Sequence, residues 1–334
     1  MVGPAVAITW RTVAPVIVIG DPDPMRLFIR TVASPITAEM LEPLDPRCQV
    51  VQFSRDLAER EYVQLARFIA DYPSVKLRAW GGVSNLDFLQ HFRAARRFQA
   101  DLWNLDSWEG LQYLPPELES LTLGRTKKSL SLRILQRFSN LTQLFLEGHV
   151  KDISVLSDLT SIQDLTLRSI TLSDLSVLLG MKRLWSLDLK LGGTKDLRLL
   201  PQLESLKHLE LWMVRGLDNL DPIASLGNLQ FLSLQALRRV EALPALDNLT
   251  RLRRVILETM KGLRDIRPLA SAPALEELLV IDMGHMQPQD FRPLVGRRHL
   301  RYVSIGLGSR KKNEAVASLF PNAEHGELPE FQFR

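Results

Sequence analysis

The residues best able to do chemistry sit in Leu203-Glu-Ser-Leu-Lys-His-Leu-Glu-Leu-Trp212, where His208 and Glu210 stand two apart. Zinc-dependent deamination uses that spacing: the histidine holds the metal and the glutamate shuttles protons. The same chemistry takes two thiolates, and Cys48 is the only cysteine. The six histidines (His91, His149, His208, His285, His299, His325) form no HExxH or HxH pair, and there is no G-x-S-x-G or Walker A sequence. Asp21-Pro-Asp23, set among prolines after a glycine, reads as a turn. Gly306-Leu-Gly-Ser-Arg-Lys-Lys312 could cradle a phosphate, but its glycines directly follow a strand pattern, so a solvated loop is expected there. The chain is therefore expected not to be an enzyme, with no catalytic residue, no metal and no cofactor.

At 334 residues, nearly half of them hydrophobic and a quarter charged, the chain fits a soluble globular protein with a sizeable core. The net charge of +4 is small for this length and gives only a weak pull toward acidic partners. A single cysteine excludes an internal disulfide and fits a reducing compartment. The first twenty residues lack a basic start, and Arg11 interrupts their apolar run. Neither a signal peptide nor a membrane-spanning segment is expected, which points to a cytoplasmic monomer, with secretion by a specialised system left open.

A repeat positions His208 and Glu210. The pattern L-x-x-L-x-L recurs at Leu118, Leu141, Ile162, Leu184, Leu206, Leu229, Leu252, Leu275 and Leu300, in steps of 21 to 25 residues. Degenerate copies at Ala95-Phe98-Ala100 and Tyr72-Val75-Leu77 continue it upstream, and Val50-Val51-Gln52-Phe53 reads as one more strand. Between them Ala58, Tyr62, Leu65 and Ile69 mark one face of a helix. Within each repeat the x-L-x-L core alternates like a strand burying one face. A second signature follows at Asp152, Asp174, Asp196, Asp265 and Asp290, where an aspartate precedes a short helical turn and can cap it.

These motifs resemble the leucine-rich repeat family, in its 22-residue subgroup of bacterial internalins and phosphatase-regulating subunits. The likeness covers roughly residues 72–320. It implies an α/β solenoid: a curved horseshoe with a parallel β-sheet on the concave face and short helical or 3-10 segments on the convex face. It also implies binding to a partner protein. Residues 48–320 would hold about nine clear and two or three degenerate repeats. Residues 1–47 would form an N-terminal cap, with strands at Val16–Ile19 and Met25–Ile29 in a hairpin, and residues 321–334 a C-terminal tail or cap. The family's asparagine after each strand is replaced by Thr126, His149, Ile170, Gly192, Val214, Leu237, Met260, Met283 and Gly308, so the post-strand turns are expected to differ.

Counting the first leucine of each repeat as position 1, positions 3, 5 and 7 face outward on the concave sheet. Neighbouring strands about 4.8 Å apart turn these columns into a surface. The expected partner-binding residues are Phe145, Glu147, Asp164, Arg168, Asp188, Lys190, His208, Glu210, Trp212 and Phe231. Trp212 and Phe231 would anchor a partner protein, and Asp164, Asp188 and Glu210 would select basic groups. The alternative is that a terminal segment covers the aromatics. A toxin-neutralising immunity protein or an effector's recognition module would suit such a face. Two rivals remain at this stage. One is an enzyme using Arg11, Asp21 and Asp23, and the other a nucleic-acid binder using Arg297, Arg298 and Lys311, although no aromatic-and-basic alternation supports the latter.

Overall fold

The computed structural model describes residues 28–326 and 328–334. Thirteen strands follow one another in a single open parallel sheet, ordered as in the chain. They are β1 (Ile29–Thr31), β2 (Val50–Phe53), β3 (Lys76–Trp80), β4 (Arg97–Asp101), β5 (Ser120–Leu123), β6 (Gln143–Glu147) and β7 (Asp164–Arg168). β8 (Ser186–Lys190), β9 (His208–Trp212), β10 (Phe231–Gln235), β11 (Arg254–Glu258), β12 (Glu277–Ile281) and β13 (Tyr302–Ile305) complete it. Most return segments are single 3-10 turns, such as Asp221–Ser225 and Arg267–Ser271. One return is the helix α1 (Glu59–Ala70), which buries Tyr62, Leu65 and Ile69. The hairpin expected at residues 16–29 lies almost wholly outside the described residues; Ile29–Thr31 pairs parallel with β2.

Leucines at positions 1, 4 and 6 form one continuous core along the solenoid. One upstream copy is shifted from its expected register. Leu77 pairs with Phe98, so Leu77 takes position 4 and not position 6. A slip of two residues keeps the same face inward, which is why the pattern concealed it.

The turns after the strands are built without the asparagine. Ser169, Leu191, Met213, Ala236, Thr259 and Asp282, all at position 8, adopt left-handed backbone. All but Asp282 extend the ladder by one bond: the Leu191 N–H, for instance, donates to the Trp212 carbonyl at 2.8 Å. The strained residue is followed by a buried apolar one at position 9, including Ile170, Val214, Leu237, Met260 and Met283. At Gly192 a Cβ would lie 2.0 Å from the Ile170 carbonyl oxygen, so only glycine fits.

His149 does by itself what the asparagine would do. Its Nδ1 accepts the Leu130 N–H at 3.2 Å, and its Nε2 stands 3.0 Å from the Gly124 carbonyl, which defines the Nε2–H tautomer. Burial holds this imidazole below its usual pKa, against the Gly124 acceptor that raises it. His149→Ala should therefore lower unfolding free energy by about 2 kcal/mol, since it leaves a buried carbonyl and a partly buried N–H without partners. His149→Asn should recover most of that, read from urea-unfolding midpoints.

Asp174, Asp196 and Asp265 accept the N–H two residues on (Ser176, Arg198, Arg267), which fixes a bend ahead of each 3-10 turn, but they do not cap those turns as expected: the N-cap positions are Leu175, Leu199 and Ile266. Asp152 instead accepts the Ser131 hydroxyl at 2.5 Å from a left-handed backbone. The loop expected around Gly306–Lys312 is in part a helix, α2 (Arg310–Ala317), which buries Val316 against the last repeat. Lys312 donates to the Gly284 and Met286 carbonyls, and Arg310 pairs with Glu314. Lys312 is thus tied to the preceding repeat, whereas the Arg310–Glu314 pair lies on the helix surface. Among the described residues, no helix is long and apolar enough to cross a membrane.

Candidate functional site

Exact pairing of β7, β8 and β9 brings positions 3, 5 and 7 into columns: Asp188 stands opposite Glu210, and Lys190 opposite Trp212. Nζ of Lys190 lies 2.9 Å from Asp188 Oδ2 and 2.9 Å from Glu210 Oε2. His208 Nε2 is 3.0 Å from Asp188 Oδ1, and the Thr166 hydroxyl donates to Asp188 at 3.3 Å. One oxygen or nitrogen each from Asp188, His208 and Glu210 lie within 4.8 Å of one another, so the neighbouring strand supplies a third potential ligand to the His-x-Glu pair. The donor set does not fit a bound metal, because the Lys190 ammonium already bridges both carboxylates and takes the place between them where a cation would sit.

The cluster is buried, with Asp188 6% exposed. Burial pushes the Asp188 carboxyl up, but the hydrogen bond and charge of His208, together with Lys190, outweigh it and bring it down to about 2. Burial likewise lowers Lys190, yet Asp188 and Glu210 leave it net raised. Glu210 is raised by burial and by the Asp188 charge, more than Lys190 lowers it. One carboxylate is thus fixed as an anion, and its neighbour is the group that takes up a proton first. This arrangement is an ion-paired knot in the sheet.

Around it lies the open part of the face. Arg168 Nε is 3.3 Å from Glu147 Oε1, and the guanidinium stands 5.5 Å from the Trp212 ring centre. Phe145, Glu147, Asp164, Arg168, Glu210 and Trp212 keep partial exposure. Asp188 and Lys190 are buried in the knot, and His208 stacks on Phe231 at 4.6 Å.

Phe231 is not the exposed anchor expected from its position: it is 5% exposed. Residues 328–334, Leu-Pro-Glu-Phe-Gln-Phe-Arg, cross the concave face from β12 toward β9 and cover it. Phe331 packs edge-on against Phe231 at 5.4 Å, and Phe333 against Trp185 at 5.0 Å. With Ile256, Leu279, Ile281 and Leu328 they form a second apolar cluster, separate from the core. The alternative of a terminal segment over the aromatics therefore holds for Phe231. Trp212 stays partly open.

Arg254, at outward position 3, grips this segment, but the outward columns omitted the other residues that do so. Gln230 and Arg253, with Lys207 and Trp185, stand at position 2, just before their strands. Their signal was indirect: Phe231, Ile256 and Leu279 make three successive strands apolar on both faces, as in a sheet covered on both sides.

Thirteen parallel strands in chain order, joined mostly by single 3-10 turns, define a leucine-rich repeat solenoid among the described residues, and its concave face is the candidate site. Among solved structures, an internalin of Listeria monocytogenes is similar at a TM-score of 0.54 and 17% identity, over 85% of this chain and 82% of that one. A leucine-rich repeat protein of Leptospira interrogans is similar at 0.50 and 15%, over 84% and 78%. No protein-family model matches the sequence, and no curated protein does.

Proposed function

We propose that the chain is a non-enzymatic scaffold that recognises a partner protein on the open part of its concave face. The observation that carries this is Trp212, partly exposed at the centre of the sheet with the Arg168 guanidinium over its ring and Phe145 on the same face. Tryptophan and arginine set among mixed charges are the composition of binding hot spots. Asp188, Lys190 and Glu210 act by tying neighbouring strands together, while Glu147 and Asp164 read basic groups on the open face. Both narrower roles, an immunity protein and an effector's recognition module, need only this face.

The test compares affinity capture from the source cell by the wild type and by Phe145→Ala/Trp212→Ala, two side-chain truncations outside the core. The variant should keep its unfolding midpoint and bind its partners about tenfold or more weakly. Equal recovery of the same partners by both baits would overturn the reading.

A further inference from the structure

We propose that residues 328–334 are a built-in pseudo-ligand. The groove beneath them is a receptor site for an extended segment of a partner protein with two aromatic residues two positions apart, and such a partner enters by displacing this segment. The inference rests on the concave face being the interaction surface.

The contacts divide into two kinds. Main-chain oxygens are held by side chains: Arg254 Nη2 donates to the Pro329 carbonyl at 2.6 Å, and Arg253 donates to that of Gln332. Gln230 donates to the Arg334 oxygen at 2.5 Å and accepts the Arg334 N–H at 2.8 Å, with Lys207 Nζ 3.3 Å from the same oxygen. Among the described residues, this segment makes no backbone–backbone bond to the sheet. Contacts to the main chain are indifferent to side-chain identity, so any extended peptide can make them.

Selectivity then falls to Phe331 and Phe333, which point inward while Glu330 and Gln332 are exposed, the period of an extended chain. The Phe331 ring centre lies 4.6 Å from the Arg253 guanidinium and 5.0 Å from that of Arg254. With the segment in place both arginines are buried, Arg254 at 0% exposed, and their guanidiniums, held by Glu276 and Glu277, face the aromatic ring. The groove is also continuous with the open face. Phe333 reaches within 6.1 Å of the His208 ring, and His208 is bonded to Asp188 of the central knot.

The test titrates a fluorescein-labelled peptide of residues 328–334 into the full chain and into Phe331→Ala/Phe333→Ala, followed by anisotropy. A segment tethered this closely competes at an effective concentration on the order of millimolar. The variant should therefore bind the peptide at least about tenfold more tightly than the wild type, and a peptide with both phenylalanines changed to alanine should bind neither. Phe333→Ala alone, a milder truncation at a half-buried site, should fall between. If either variant is folded by circular dichroism and binds no more tightly than the wild type, the proposal is overturned. Loss of the fold in both would overturn it too, because the segment would then be part of the core. Peptide failure sinks the groove alone, whereas partners retained by Phe145→Ala/Trp212→Ala sink the open-face reading.

Discussion

Arg254→Met should lower the unfolding free energy by about 3–5 kcal/mol, one of the two largest losses expected from a single change in this chain. Arg254 is wholly buried and its guanidinium pairs with Glu277, itself buried. Removing the cation leaves a carboxylate in a site that water does not reach, and that desolvation is the larger part of the cost. The guanidinium also lies 5.9 Å from the Phe231 ring, so the outer apolar cluster loosens with it. A solenoid's stability is close to a sum over repeats and their interfaces, so the loss should concentrate around β10–β12. Arg254→Met/Glu277→Leu should recover most of it, because an apolar pair replaces a buried ion pair at little or no cost. Urea titration of the three proteins decides the matter. A single-variant loss under about 1 kcal/mol would mean that solvent reaches the pair.

The contrast between this pair and the leucines marks what the chain discloses by pattern. Leu206, Leu209 and Leu211 announce a strand with one face buried, and the strand His208–Trp212 runs over the expected outward and inward positions. Local alternation is enough for that, since each repeat packs only on its neighbours. The same logic extended to β4, where Phe98 stands opposite Leu121, and failed by two residues at β3, where the repeat is shorter. The candidate site was legible as columns: Asp188 beside Glu210 follows from register alone. Their electrostatics were not, because only side-chain geometry puts the Lys190 ammonium between them instead of out in solvent. The cover on Phe231 was further out of reach. Gln230 and Arg334 are 104 positions apart, and no periodicity links a terminal Phe-x-Phe to a column of pre-strand residues.

Lys190→Met should approach the Arg254 loss, about 3 kcal/mol at pH 7, because it strips the cation from buried Asp188 and partly exposed Glu210 at once. Its pH dependence is the sharper outcome. The Asp188 pKa is depressed from 3.8 to about 2, so its stabilising contribution is present above pH 3.8 and disappears as pH falls toward 2. Glu210 has the opposite sign: its raised pKa makes the ionised form a liability at neutral pH that protonation relieves as pH falls. Without Lys190 the two anions repel each other unscreened, and Glu210 takes up its proton at still higher pH. The gap between wild type and variant should therefore be widest at pH 7 and narrow by about pH 4.5, as read from urea midpoints at the two values. Glu210→Gln in the Lys190→Met background should recover part of the loss at pH 7 by removing the second charge. The same geometry explains why His208 and Glu210 look like a metal motif without fitting a metal. Asp188, His208 and Glu210 offer ligand atoms within 4.8 Å of one another, and the ammonium supplies the positive charge that they require. Excess Zn2+ should accordingly raise the stability of Lys190→Met and leave the wild type unchanged. A variant that neither gains from Zn2+ nor converges on the wild type at low pH would show that the carboxylates draw their compensation from elsewhere in the sheet.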